Sequence, residues 1–116
     1  GKWPRHCLQD SPGAQWHPRL EIPPEVVKVT KGVRLDRDQN SVFDETGLAA
    51  LLRYTGIERL WIGGLAQDVC VLQSVLDALE AGLEAHVLER ATRPVDPESG
   101  ERALERMRKA GAYMER

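Results

Sequence analysis

One of the two cysteines, Cys70, follows a glycine-rich turn and opens an apolar helical stripe, a placement that could support nucleophilic chemistry. The unpaired backbone N–H groups at a helix start, and the partial positive charge there, favour a thiolate over a thiol. The same N–H groups could donate to the oxyanion that forms when a thiolate attacks a carbonyl carbon. The position of Cys70 alone leaves a second interpretation open, in which it packs like a small apolar residue in the core.

Short apolar runs predict the strands of the fold that holds this cysteine. The predicted strands are residues 26–30, 60–62 and 85–88, with a further short edge strand at 112–114. The run at 60–62 is bounded by glycines and is typical of a strand buried on both faces. Residues 33–46 are polar and predict a loop.

Three helices are predicted between and after these strands. The first contains Leu48, Leu51 and Leu52 at helical spacing and is expected to end at Gly56. The second begins near Cys70 with Asp68 as its expected N-cap, a role we favour over a catalytic acid, and is expected to end at Gly82. The third opens with an aspartate and a proline at residues 96–97, and its expected end is a glycine at position 111.

Alternating strands and helices predict an α/β fold, in which a parallel sheet has helices on both faces and forms three layers. Chemistry in such sheets lies at the carboxyl ends of the strands. Lys31 follows the first predicted strand and Cys70 follows the second. A lysine at a neighbouring strand end would favour the thiolate further, so this coincidence supports the nucleophile interpretation of Cys70.

The composition restricts the classes of partner and the compartment. The 116 residues fit one domain, and a net charge of −2 with scattered lysines and arginines argues against nucleic-acid binding. No apolar run approaches the roughly 18 residues that span a bilayer, and the N-terminal residues lack the apolar core of a secretory signal. Two cysteines cannot form a disulfide framework, so we expect a cytoplasmic protein.

Residues 64–71, Gly-Leu-Ala-Gln-Asp-Val-Cys-Val, resemble the G-[LV]-A-x-[DE]-x-C-V segment of the nicotinamidase and isochorismatase-like cysteine hydrolases. Residues 3–7 and 12–14 resemble the family's W-P-x-H-C and P-G-A stretch, and residues 31–32 lie where the family has K-G. The last helix also matches, through residues 97–104. The resemblance covers essentially the whole chain and favours nicotinamidases. It implies an isochorismatase-like fold and one hydrolase domain over residues 1–116.

The resemblance also implies catalytic roles. Cys70 would be the nucleophile that forms a thioester as ammonia leaves nicotinamide, and Lys31 would be the triad lysine near its sulfur. The backbone N–H groups of Ala66 and Cys70 would form an oxyanion hole, with a cis peptide bond between Leu65 and Ala66. Hydrolysis of the thioester would then release nicotinate, so a small-molecule amide is the expected partner.

Metal and pocket residues follow from the same resemblance. His6 would be one ligand of a divalent metal, commonly zinc, and Trp3 would form part of the aromatic pocket wall. The other two histidines have structural interpretations: His17 follows the Pro-Gly-Ala stretch, and His86 lies in mid-strand as a packed or edge residue.

The family's pattern begins well before this chain does, so we expect a domain that is incomplete on its N-terminal side. The part expected to be absent carries the triad aspartate and a D-x-H segment with two further metal ligands. An open sheet edge would follow, and an open edge invites pairing with another chain. A homo-oligomer with strand exchange is therefore expected.

Three interpretations of function stay open. They are a nicotinamidase, a fragment or short form that acts only in assembly, and a hydrolase of another small carboxamide, carbamoyl or ureido compound. Departures from the family's pattern bear on the substrate: residues 40–43 read Asn-Ser-Val-Phe where the family often has Tyr-Ser-[GA]-Phe. Gln67 and Val69 stand where nicotinamidases often have threonine and tyrosine.

Overall fold

The structure is a computed structural model that describes residues 4, 6–33, 36 and 38–116. Its strands are β1 (Arg59–Leu65), β2 (Glu84–Arg93) and β3 (Tyr113–Glu115). Its helices are α1 (Leu48–Tyr54), α2 (Leu72–Glu80) and α3 (Pro97–Ala110). A 3₁₀ turn covers Pro12–Ala14, and a π-helical turn, called the cysteine turn below, covers Gln67–Val71.

The three strands form a parallel sheet in the order β1-β2-β3, which confirms the predicted α/β class. Helix α2 connects β1 to β2, and α3 connects β2 to β3. Both helices pack on the sheet face that carries Ala85 and Val87, because these side chains belong to one buried cluster with the apolar stripes of the helices. The cluster consists of Val71, Leu72, Val75, Ala78, Ala85, Val87, Ala103, Met107 and Ala112.

Helix α3 has the boundaries that its sequence predicts. The Asp96 carboxylate accepts a hydrogen bond from the Ser99 backbone N–H at 2.9 Å, and a proline occupies the first helical position. Gly111 ends the helix with φ +111°, a left-handed conformation that glycine adopts without steric cost. In the part of the chain that the structure describes, no helix is long and apolar enough to cross a membrane.

Residues 26–30 do not form the strand that their β-branched sequence predicts, so this prediction is wrong. Val26, Val27 and Val29 are all exposed. A β-strand is stabilised by backbone hydrogen bonds to a neighbouring strand. The described strands pair only with one another, so residues 26–30 lack such a neighbour within the described chain.

The expectation that residues 60–62 are buried on both faces is also wrong, because Trp61 is 54% exposed. Trp61 lies on the sheet face away from α2 and α3, in register with His86 and Tyr113 of the next two strands. The three rings stack as a column across the strands, with centroid separations of 4.5 Å for Trp61–His86 and 4.8 Å for His86–Tyr113. One face of β1 is therefore packed in the core and the other is partly open.

His86, the packed histidine of this column, lies between two carboxylates. Its Nε2 is 2.6 Å from Glu84 Oε2 and its Nδ1 is 2.6 Å from Glu115 Oε1. Hydrogen bonds to Glu84 and then to Glu115 raise the pKa of His86 above its ordinary value of 6.5. Since Glu115 lies on β3 and the other two residues lie on β2, the imidazole links these two strands, and it does so as an ion pair when it is protonated.

We expect the free energy of unfolding to fall as the pH rises through the raised pKa of His86. The folded state binds this proton more tightly than the unfolded state, so the stabilisation is complete below about pH 6.5 and is lost above it. Urea unfolding at a series of pH values from about 5.5 to 8.5 measures the effect. His86→Gln should flatten the pH dependence, whereas His17→Gln, at an exposed histidine, should leave it unchanged. Equal pH dependence in the wild type and His86→Gln would contradict the assignment.

Candidate active site

Cys70 lies in the cysteine turn that joins the end of β1 to α2. Ala66 has an extended backbone conformation, and its carbonyl accepts hydrogen bonds from the N–H groups of Val69 at 3.1 Å and Val71 at 3.0 Å. The bond that spans five residues gives the turn its π-helical form. Cys70 is the fourth of the five residues in this turn, and its side chain is only partly buried. Cys70 is therefore not one of the buried residues of the core cluster.

Asp68 is not the N-cap of this helix, so that prediction is wrong. Its carboxylate accepts hydrogen bonds from the backbone N–H groups of Val95 at 2.9 Å and Asp96 at 3.3 Å. These donors lie just before α3, which is far from the cysteine turn in sequence. Asp68 therefore connects the turn to the β2–α3 connection and does not satisfy the donors of its own helix.

Lys31 lies beside Cys70. Its Nζ donates to Cys70 Sγ at 3.2 Å and to the Gln39 backbone carbonyl at 3.3 Å. The lysine side chain is partly buried, although the residues before it are not a strand. The structure thus brings together the two residues that the sequence analysis paired, and it places a cation at hydrogen-bonding distance from the thiol.

Gln39 holds the backbone around Lys31, and the sequence analysis missed this residue. Its Oε1 accepts from the Gly32 N–H at 3.1 Å, and its Nε2 donates to the Asp44 carbonyl at 2.6 Å. Gly32 has φ +78°, which lets the chain turn directly after Lys31. Gln39 is buried in a polar loop. A loop glutamine has no sequence pattern that would indicate burial, so no signal in the sequence could have identified it.

A pocket of about 570 Å³ opens over Cys70 and Lys31. Its lining includes His6, Asn40, Ala66 and Val95. The peptide bond between Leu65 and Ala66 is cis, at the position that the resemblance implies. Pockets of this size hold small molecules. Trp3, the expected pocket wall, lies outside the described residues.

A second space, an apolar groove of about 340 Å³, also reaches Cys70 and Lys31. It runs between α1 and β1, and its lining includes Leu48, Leu52 and Leu60. Cys70 and Lys31 therefore line both spaces.

The described residues do not by themselves fit a catalytic zinc ion. His6 is exposed, and its Nδ1 lies 2.6 Å from the carbonyl oxygen of Pro4. No group of three or more histidine, cysteine, aspartate or glutamate residues in the described part of the chain is arranged to hold a metal. A catalytic zinc typically has three protein ligands, so His6 could supply only one of the set.

Lys31→Met is expected to slow alkylation of Cys70 by iodoacetamide by about 10- to 100-fold, because it removes a charged donor beside the sulfur. Methionine keeps the length and much of the volume of the lysine side chain. The measurement is the alkylation rate at Cys70, read by mass spectrometry with exposed Cys7 as the internal reference. Lys28→Met, at an exposed lysine, is the matched control. Equal rates in the two variants would show that the ammonium does not activate the sulfur.

The chain is similar to known proteins along its whole length. The family model described as the isochorismatase domain matches residues 1–116. Among curated proteins, the nicotinamidase of Acinetobacter baylyi is 37% identical over 100 residues, which are 81% of this chain and 47% of that protein. The nicotinamidase of Escherichia coli is 37% identical over 120 residues, which are 97% of this chain and 56% of that protein.

Solved structures share the fold. A pyrazinamidase of Pyrococcus horikoshii in complex with zinc has a TM-score of 0.92 and 39% identity, over 98% of this chain and 63% of that one. An L. infantum protein in complex with nicotinate has a TM-score of 0.93 and 34% identity, over 98% of this chain and 60% of that one. The chain thus spans about half to three-fifths of the relatives it matches.

Proposed function

This chain belongs to the isochorismatase family, and from that premise we propose that it carries the nucleophile of an amidase that converts nicotinamide to nicotinate and ammonia. The observation that carries the proposal is the 3.2 Å hydrogen bond from Lys31 Nζ to Cys70 Sγ at the floor of a pocket. A cation at this distance favours the thiolate, which is the reactive form of cysteine. Nicotinamide is the proposed substrate because the similar curated proteins are nicotinamidases.

The reaction would proceed in two steps at Cys70. In the first step the thiolate attacks the carboxamide carbon, and the C–N bond breaks as the nitrogen gains a proton and leaves as ammonia. Lys31, whose Nζ lies 3.2 Å from Sγ, would stabilise the developing charge, and its ammonium would give up this proton. In the second step water attacks the thioester carbon, one of its protons returns to the Lys31 amine and the other passes to solvent. The C–S bond breaks, and nicotinate leaves with the thiolate restored.

The residues around the sulfur have proposed roles in this reaction. The backbone N–H groups of Ala66 and Cys70 would donate to the oxyanion, in keeping with their position at the pocket and at the start of a helix. Trp3 would contribute to the pocket wall, and His6 would supply one ligand of a divalent metal such as zinc. A reducing compartment, the cytoplasm, would keep the free thiol of Cys70 available.

The test is ammonia release from nicotinamide by the purified chain, measured with and without hydroxylamine. Hydroxylamine intercepts a thioester, so nicotinohydroxamate should accumulate if Cys70 forms an acyl-enzyme. Benzamide, which lacks the ring nitrogen, and N-carbamoylglycine, a ureido compound, separate nicotinamide hydrolysis from the related amidase reactions. If the chain unfolds cooperatively, and is therefore folded, but releases no ammonia and forms no hydroxamate, the proposal is wrong.

The open edge of β1 favours a second candidate function, assembly with another copy of the chain. Within the described residues β1 pairs only with β2, so its other edge has unpaired backbone groups. Leu65 at the end of this strand is 71% exposed. Size-exclusion chromatography should then show a dimer or larger oligomer formed through this edge. A monomer would exclude this candidate and leave the amidase.

A further inference from the structure

We infer that Gln67 and Thr92 are positioning residues that hold the cysteine turn in the geometry that brings Cys70 to Lys31. This inference rests on the proposed function, since it concerns the orientation of the nucleophile. Gln67 is the first residue of the cysteine turn, and Thr92 lies near the end of β2. Both side chains are almost completely buried, at 6% and 1% exposure.

The two side chains are joined by a hydrogen bond. Gln67 Nε2 donates to Thr92 Oγ1 at 2.7 Å, across 25 residues of sequence. Thr92 Oγ1 in turn donates to the Glu89 carbonyl at 2.8 Å. The threonine hydroxyl is therefore used both as an acceptor and as a donor. A buried pair of this kind has a single favourable arrangement, because a displaced amide or hydroxyl would leave a polar group without a partner.

An irregularity in the sheet places Thr92 where it can meet Gln67. The β1–β2 register runs from Ile62 opposite Val87 directly to Gly64 opposite Thr92, so β2 contains extra residues between these pairs. The bond from Thr92 to the Glu89 carbonyl closes this bulge. Bulges redirect side chains and are frequent beside active sites. Here the bulge brings a buried hydroxyl to the start of the cysteine turn.

Gly100 of α3 provides the space for Gln67. A Cβ atom at this position would lie 2.7 Å from Gln67 Oε1 and 2.7 Å from Pro94 Cβ, which is closer than such atoms approach. Asp68 makes the second attachment, through its bonds to the N–H groups of Val95 and Asp96. Two successive side chains thus attach the cysteine turn: the buried Gln67 to the end of β2, and the partly exposed Asp68 to the β2–α3 connection.

Cys70 follows Gln67 by three residues in the same turn, so the position of its sulfur depends on how the turn is held. The Ala66 carbonyl at the start of the turn accepts hydrogen bonds from the N–H groups of Val69 and Val71, and the Val69 carbonyl accepts one from Leu72. Rotation of so short a turn would move the sulfur relative to Lys31, which approaches from a different loop. Attachment of the turn to the end of β2 fixes one side of this contact.

The experiment compares the alkylation rate of Cys70 with that of Cys7 in Thr92→Val, Thr92→Ser and Thr55→Val. Thr92→Val keeps the side-chain shape but removes the hydroxyl, so the Cys70-to-Cys7 rate ratio should fall about 5-fold, as expected for one hydrogen bond. Thr92→Ser restores the hydroxyl and should return the ratio to within about twofold of wild type. Thr55→Val makes the same substitution at the end of α1 and should leave the ratio unchanged.

A loss of thermal stability in Thr92→Val with an unchanged rate ratio would overturn the inference, because the bond would then be structural only. Failure of Thr92→Ser to restore the ratio would overturn it as well. Alkylation does not require amide hydrolysis, so the rate ratio tests the positioning role even if nicotinamide is not the substrate. Conversely, Thr92→Val can be tested for both properties: if it still hydrolyses nicotinamide and its Cys70-to-Cys7 rate ratio is unchanged, the proposed function stands and only the positioning role is wrong.

Discussion

Cys70→Ala is expected to lower nicotinamide hydrolysis by about 10⁴-fold or more, because the alanine side chain cannot form the thioester. Alanine removes only the sulfur from a partly buried side chain, so the cysteine turn and its backbone donors should remain. The measurement is ammonia release at saturating nicotinamide. Whatever hydrolysis remains would come from binding and oriented backbone donors acting on water.

The matched control for this variant is Gln73→Ala, which shortens a side chain in the first turn of α2 away from the Cys70 pocket. It should hydrolyse nicotinamide at a rate close to that of the wild type. Both variants should unfold at a similar urea concentration. Hydrolysis that persists in Cys70→Ala would identify a different nucleophile and would contradict the proposed reaction.

Met107→Ala is expected to lower the free energy of unfolding by about 2–5 kcal/mol, the range for large-to-small changes at buried positions. Met107 is completely buried, and it belongs to the cluster that joins α3 to α2 and the sheet. A domain of this kind is stable by only about 5–15 kcal/mol, so the loss is a large part of the total. Urea unfolding measures it from the change in midpoint at an unchanged slope.

Arg106→Ala provides the comparison, since Arg106 neighbours Met107 on α3 but faces solvent. Its effect should be within about 0.5 kcal/mol, as is usual at exposed positions. Similar losses in the two variants would mean that Met107 does not pack in the core as the structure places it.

The ends of helix α3 could be predicted because the residues that set them are local. The Cys70 region could be predicted because it lies in one motif. An aspartate cap, a proline at the first position and a terminal glycine act within a few residues of the helix ends. The resemblance of residues 64–71 to the cysteine hydrolases identified Cys70 and led to Lys31, which lies 39 residues away in sequence and 3.2 Å away in space. Their positions after neighbouring predicted strands also pair them, but the strand predicted at residues 26–30 does not form.

The wrong predictions share a physical cause, which is dependence on distant residues. Whether residues 26–30 become a strand depends on a neighbouring strand, and whether Trp61 is buried depends on which sheet face the helices cover. Asp68 has the residue type of an N-cap, but its partners are backbone groups 27 and 28 residues later.

Residue types at short spacing predict where the helices end, where the candidate nucleophile lies and which family the chain resembles. How Cys70 is held becomes visible only in the folded chain. Gln39 fixes the loop of Lys31, and Gln67 meets Thr92 through a bulge in β2. Buried amides of this kind are specified by hydrogen bonds between segments that come together only when the chain folds.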